Sequence, residues 1–291
     1  MTQWFDLAVS SVLLAGLYAT MAYGLGLIYG VLRIVNLSHA GFIMVGAYSG
    51  WLLHGKFGLD PYLSIPIVLV AAYFAGVVLY KVLVRRLPRG AAGGVQSLLL
   101  LFGVALLLRN GAYLLFSGND QTIRTGYSTS AISLLGMSLP VNRLAVFAIA
   151  VITLVALHLF LSRTYAGKAI RAVAQNEGSC TLVGIDVERI FSIAFGLGTA
   201  LASLAGLLAG TLFSFNPSFG SVELLKSFVV VVLGGLGSVP ALAAAALVLA
   251  VVESFAILVL PAYLTSAVGF VLLVLVLILR PGGLMGKRAL G

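Results

Sequence analysis

The sequence predicts an all-α fold, a polytopic transmembrane helical bundle of eight or nine crossings with broken or re-entrant segments, built as one domain over residues 1–291. Three observations carry that reading. Of 291 residues, 61% are hydrophobic and only 9% charged, with a mean hydropathy of +1.16, far outside the balance of a water-soluble domain. Apolar runs of about 20 residues, the length a helix needs to cross a roughly 30 Å hydrocarbon core, recur along the whole chain. The basic residues between those runs fall mostly on one side of the implied membrane.

Taken in order, the opening MTQWFD lacks the basic run of a cleavable signal, so the first span, 7–31, is expected to be retained. Runs at 41–55, 62–84, 95–116, 143–162, 189–214, 240–260 and 262–280 follow as crossings or most of one. A ninth run, 222–238, is shorter and ends in GGLGSVP, which suits a half-helix or re-entrant element as well as a full span. The connection at 117–142 is rich in Ser, Thr, Gly and Asn and is expected to be a solvated loop or a short surface helix.

With the N-terminus outside and nine crossings, Arg33, Lys81, Arg85, Arg86, Arg89, Arg163, Lys168, Arg171, Arg189, Arg280, Lys287 and Arg288 lie inside. Lys56, Arg124 and Arg143 lie outside, and Arg109 and Lys226 belong to neither set. The excess of 17 Lys and Arg over 8 Asp and Glu is thus a topology signal, and a nucleic-acid partner is not implied. Cys180 stands alone, so no internal disulfide can form, and an inert thiol is expected. No GxxxxGK[ST] phosphate loop occurs, nor any spacing that suggests a metal site or a nucleophilic triad.

Three constellations interrupt the apolar background. In KAIRAVAQNEGSCTLVGIDVER, 168–189, Ile170, Val173 and Ala174 share one helical face and Lys168, Arg171 and Gln175 the other, while Gly178 interrupts and Gly184 can end a second short helix. A basic amphipathic pair at an inner face can be an interfacial anchor or a docking site, and physics alone leaves both open. In RIVNLSHAG, Arg33, Asn36, Ser38 and His39 read either as an inner loop or as a broken helix near the midplane that meets a passing solute, so Asn36, Ser38 and His39 are pathway candidates. Gly234, Gly235, Gly237, Ser238 and Pro240 predict a second helix break, with Gly234, Gly235 and Gly237 facing the pathway; close packing through small residues is the competing reading.

Glu253 sits within an apolar run. With no matched acid on a neighbouring span, it reads as a hydrogen-bonded structural carboxyl more than as an ion or proton ligand. His54 and His158 fall near span boundaries, where polar aromatic tips are ordinary.

The segment KAIRAVAQNEGSCTLVGIDVERI resembles the cytoplasmic coupling loop of permease subunits in bacterial ABC importers of branched-chain amino acids, the LivH type. GLGLIYGVLRIVNLSHAGFIMVGAY at 24–48 and LLKSFVVVVLGGLGSVPAL at 224–242 are similar to the other two recurrent blocks of that family, in the same order, and the closing RPGGLMG at 280–286 fits as well. Three positions depart from its pattern: Ala40 and Gly41 follow His39 where a Gly and a Glu are common, and Ala241 replaces a Gly. The resemblance implies a multi-pass permease of the bacterial inner membrane whose coupling loop, 163–188, engages an ATPase through Arg171, Glu177 and Gly184. It also implies a second permease subunit, two ABC ATPase subunits and a periplasmic binding protein as partners, with ATP and Mg on the ATPases and no cofactor on this chain. The implied cargo is a branched-chain or other small hydrophobic amino acid. Import of urea or a short amide by the same architecture is the alternative, as is a stand-alone secondary transporter, which would need a coupling-ion site.

Overall fold

The computed structural model describes residues 2–88, 91–128, 130–134, 137–235 and 239–279. Among them run α1 (Thr2–Leu32), α2 (Ser38–Phe57), α3 (Ile65–Val82), α4 (Ala91–Phe116), β1 (Ala131–Leu134), β2 (Met137–Pro140), α5 (Val141–Arg163), α6 (Tyr165–Gln175), α7 (Glu177–Leu182), α8 (Val187–Leu212), α9 (Phe219–Gly234), α10 (Val239–Ala256) and α11 (Ala262–Leu279). The closing RPGGLMG, with Arg280, Lys287 and Arg288, lies outside the described residues, as do Arg89, Gly237 and Ser238.

Six described helices are long and apolar enough to cross a membrane: Asp6–Leu32, Ile65–Arg86, Gly94–Phe116, Val141–Arg163, Val187–Leu212 and Val239–Ala256. The expected eight or nine are not reached by that measure. The reason lies in two helices: α2 carries His39, His54 and Lys56 among its apolar residues, and α9 has only 16 residues.

The architecture is built around α1 and α8, whose spanning windows are 78% and 89% buried against 17% for α4 and α5. Small residues make that possible, because without a Cβ two backbones approach closely enough for dispersion and hydrogen bonds to replace a hydrophobic driving force. A Cβ on Gly46 would strike the Ser203 carbonyl and one on Gly206 the Ile43 carbonyl, so α2 and α8 lie backbone to backbone. Ser203 adds a bond from its hydroxyl to the Phe42 carbonyl at 3.0 Å. Around this seam Leu17, Met21, Leu204, Leu207, Val230 and Leu249 form the main apolar core.

One expectation needs correction at the outer connection. Ala131–Leu134 and Met137–Pro140 pair as antiparallel strands, with Ala131 opposite Pro140 and Leu134 opposite Met137, where a loop or surface helix was expected. Apolar residues alternate with Ser133 and Ser138 at period two, the strand pattern. The stretches expected on one side gather at one end of the bundle: Tyr127 donates to Asp60 Oδ2 at 2.6 Å, Gln121 pairs with Phe215, and Asn216 donates to Asp120 Oδ1 at 2.9 Å. At the opposite end Glu188 accepts from Tyr80 at 3.0 Å and pairs with Arg85 at 3.2 Å.

Candidate functional site

The first polar block is a true helix break inside the bundle. Helix α1 ends as Arg33 turns into the left-handed region (φ 56°), a position usually given to glycine, and residues 33–37 run without helical structure until α2 begins at Ser38. A Cβ on Gly24 would come 2.9 Å from His39 Cε1 and would also strike the Gly198 carbonyl of α8. Gly24 lies eight residues, about 12 Å at the helical rise, short of the end of α1, so α2 starts beside the body of α1 and not at its end.

Asn36, Ser38 and His39 are each at most 1% exposed. Ser38 donates to Asn36 Oδ1 at 2.6 Å, and His39 Nε2 meets the Met21 carbonyl at 3.0 Å, so the ring carries its proton on Nε2. Asn36 Nδ2 and His39 Nδ1 are buried without a partner among the described residues. His39 pins the break to α1 while Ser38 and Asn36 bond each other within it; the neighbouring open space is lined instead by Ala40, Gly41 and Met44, further along α2.

The second break falls where the glycines predict it. Helix α9 stops at Gly234, Gly235 takes φ 72° and ψ 165°, a backbone state open to glycine alone, and α10 starts at Val239 with Pro240 in its first turn. A Cβ on Gly234 would come 3.0 Å from the Ala241 carbonyl, so the two helix ends fold tightly together.

Two charged features were not read from the sequence. Arg109, two turns before the end of α4, borders a cleft of about 50 Å³ between α2, α4 and α9, lined also by Ala105, Pro217, Gly220 and Ser221. A lone arginine inside an apolar run was the available signal. Lys226, Glu223 and Tyr18 surround Glu253: Tyr18 donates to Glu253 Oε2 at 2.5 Å, and Lys226 donates to Tyr18 at 3.3 Å and Glu223 Oε1 at 3.3 Å. Glu253 is thus hydrogen-bonded, as expected, but the expectation of no neighbouring acid is wrong, because α9 turns Glu223 inward toward the same lysine.

In the 163–188 segment two short helices form, as the pattern predicts. Thr164 caps α6 through Gly167 N–H, and Asn176 caps α7 through Ser179 N–H, so Asn176 makes the interruption and Gly178 lies within α7. Gly184 follows α7 with φ 79°. The apolar face of α6 does not meet lipid: Ile170 and Val173 are buried with Cys180, Ile190 and Phe195 in the bundle's second core. Arg171 and Gly184 are exposed and Glu177 is half-buried. Beside them Leu182 and Val183 project at 89% and 75% exposure, an apolar tip at a polar end of the molecule.

Comparison with known proteins matches residues 7–277 to the family described as "Branched-chain amino acid transport system / permease component". The chain is 29% identical over 293 residues to the branched-chain amino acid permease protein BraD of Pseudomonas aeruginosa, covering 96% of this chain and 94% of that one. To LivH of Escherichia coli K12 it is 27% identical over 297 residues, with the same coverage. To LivM of the same organism it is 29% identical over 261 residues, covering 81% of this chain and 60% of LivM. No solved structure matches. The match extends over both helix breaks and the paired short helices between them, and the chain belongs to the branched-chain amino acid transport system permease family.

Proposed function

We propose that this chain is a multi-pass permease of an ATP-driven importer in the bacterial inner membrane, passing branched-chain or other small hydrophobic amino acids inward. The observation that carries the energy-coupling part is the α6–α7 segment. The apolar face of α6 is buried in the chain's own core and not laid on lipid, while Arg171, Glu177, Leu182, Val183 and Gly184 lie at the segment's outer rim, a small mixed apolar and charged surface. Two short, capped helices held rigidly to α1, α5 and α8 are the kind of element through which a partner ATPase can move spans as rigid bodies. On this reading residues 163–188 are the coupling loop of a single permease domain, and nucleotide and magnesium are held by two ATPase subunits, with no cofactor on this chain.

Likeness to both LivH and LivM, two permease proteins of one organism's branched-chain system, supports a second, related permease as partner. A periplasmic binding protein completes the assembly and supplies most of the selectivity. Asn36, Ser38 and His39, with Gly234, Gly235 and Gly237, set the two broken segments that border the route.

The test is reconstitution with the partner permease, ATPases and binding protein in vesicles. Labelled leucine is expected to enter only with ATP, and Arg171→Glu with Glu177→Arg is expected to fold yet fail at ATPase binding and uptake. Uptake of urea but not leucine would move the chain to the amide branch, and uptake driven by an ion gradient without the ATPases would make it a secondary transporter.

A further inference from the structure

We propose that the buried network of Tyr18, Glu223, Lys226 and Glu253 is a proton-binding site: it takes one proton from solution, carries it on Glu223, and uses it to keep α9 docked against α1 and α10. The inference holds whatever solute the chain carries.

Charge and donor counts create the need for that proton. Glu223 and Glu253 are each 4% exposed, and among the described residues the one cation that acts on them is Lys226. Two carboxylates against one ammonium leave a surplus negative charge where water cannot screen it. The donors run out in the same way. Tyr18 serves Glu253 Oε2 at 2.5 Å, and Lys226 serves Glu223 Oε1 and the Tyr18 hydroxyl, each at 3.3 Å. Glu223 Oε2 and Glu253 Oε1 are buried and meet no donor among the described residues.

The surrounding helices do not close the gap. Tyr18 of α1 is already used, His39 of α2 is turned to the Met21 carbonyl, and α11 meets Glu253 Oε1 with Gly269, where an added Cβ would lie 3.5 Å away. A buried water could donate to the open oxygens but would leave the charge uncancelled. One proton removes both faults. It cancels the surplus charge and turns Glu223 Oε2 from an acceptor without a donor into a donor, with Glu253 Oε1 as the open acceptor of the same network.

Geometry puts the proton on Glu223. The 2.5 Å bond from Tyr18 has the length of a hydroxyl donating to a charged carboxylate, so Glu253 keeps its charge. Lys226 lies over the Tyr18 ring, 5.0 Å from its centre, and donates to the phenol oxygen, which directs its charge at the Tyr18–Glu253 pair. Its 3.3 Å contact with Glu223 is longer than the roughly 2.8 Å of a tight ion pair.

Position gives the proton its consequence. A Cβ on Gly220 would strike the Ala40 carbonyl, so the turn before Glu223 abuts the start of α2, while the far end of α9 is the break at Gly234 and Gly235. Glu223 stands where both broken segments meet α1 and α10. Once the proton is lost, two carboxylates share one lysine and repel, so the docked arrangement weakens as pH rises.

The test is infrared spectroscopy of the full chain in lipid vesicles at neutral pH, with isotope-labelled glutamate. The expected result is the carbonyl band of a neutral carboxylic acid that shifts with the label and fades as pH is raised. The band should vanish in Glu223→Gln and in Glu253→Gln, since either leaves one acid to one lysine, and should strengthen about twofold in Lys226→Gln, where neither acid has a cation. Absence of the band in the wild type, or its survival in Glu223→Gln, overturns the proposal. A band that appears only when sodium and potassium are replaced by choline assigns the site to a metal cation and also overturns it. If the variants do not fold, the labelled wild type decides alone, because the other glutamates, Glu177 and Glu188, stand only half-buried at the polar end of the bundle.

Discussion

Tyr18 of α1 donates its phenolic proton to Glu253 of α10 at 2.5 Å, a bond that joins residues 235 apart in sequence and closes a four-residue network with Lys226 and Glu223 of α9. Among apolar helices such a network specifies which helix faces meet, because leaving any member unpaired in a low-dielectric interior is expensive.

Tyr18→Phe is therefore expected to destabilise the chain by about 1–3 kcal/mol, since Glu253 keeps its buried carboxylate and loses its donor. Lys226→Gln should cost more, about 3 kcal/mol or above, because two buried acids then face each other without a cation. Thermal unfolding in detergent, followed by tryptophan fluorescence, reads both. A Tyr18→Phe with Glu253→Gln double variant that costs the sum of the singles would mean that the two residues are not coupled.

Close backbone approach predicts a sharp split among glycines. Gly206→Ala drives a methyl into the Ile43 carbonyl, where backbone cannot yield, and should remove most folded protein from a size-exclusion profile. Gly103→Ala, with nothing within 4 Å of its new Cβ, should leave the profile unchanged or slightly improved through helix propensity. Equal yields from the two variants would contradict the α2–α8 seam.

The apolar tip after α7 gives a separate handle on coupling. Leu182→Ser with Val183→Ser changes only exposed side chains, so stability should move by less than about 0.5 kcal/mol, while affinity for the ATPase subunits should fall about tenfold if that tip is buried in their surface. Unchanged binding by surface plasmon resonance would place the contact elsewhere.

His39 tests the break itself. His39→Gln keeps an N–H that can reach the Met21 carbonyl, whereas His39→Leu removes it; the leucine variant should be less stable by about 1 kcal/mol than the glutamine variant. The reverse order in melting temperature would mean that packing, and not the hydrogen bond, holds the start of α2.

Much of this was legible in the chain. Hydropathy located every long span to within a few residues, and the Gly–Pro cluster at 234–240 located a break that Gly235 makes with a backbone state no other residue adopts readily. The amphipathic pattern at 168–176 was read correctly, with Ile170 and Val173 buried and Arg171 exposed. What burial covers that face was not legible, since lipid and the chain's own core attract the same residues.

Arg109 and Glu223 mark the limit most clearly. Each was visible as a charge within or beside an apolar run, but a run that is apolar all round has no periodicity to say which way one polar residue points. Length and composition determined by themselves that this protein is a helical membrane protein with two candidate breaks, because transfer into lipid and helix breaking are local properties that add up along the chain, and the resemblance carried by its motifs added the permease reading. Only the tertiary structure decided that Gly220 meets Ala40 beside Arg109, and that Glu223 shares Lys226 with Tyr18 and Glu253, because those meetings depend on how rotated helices pack through small residues.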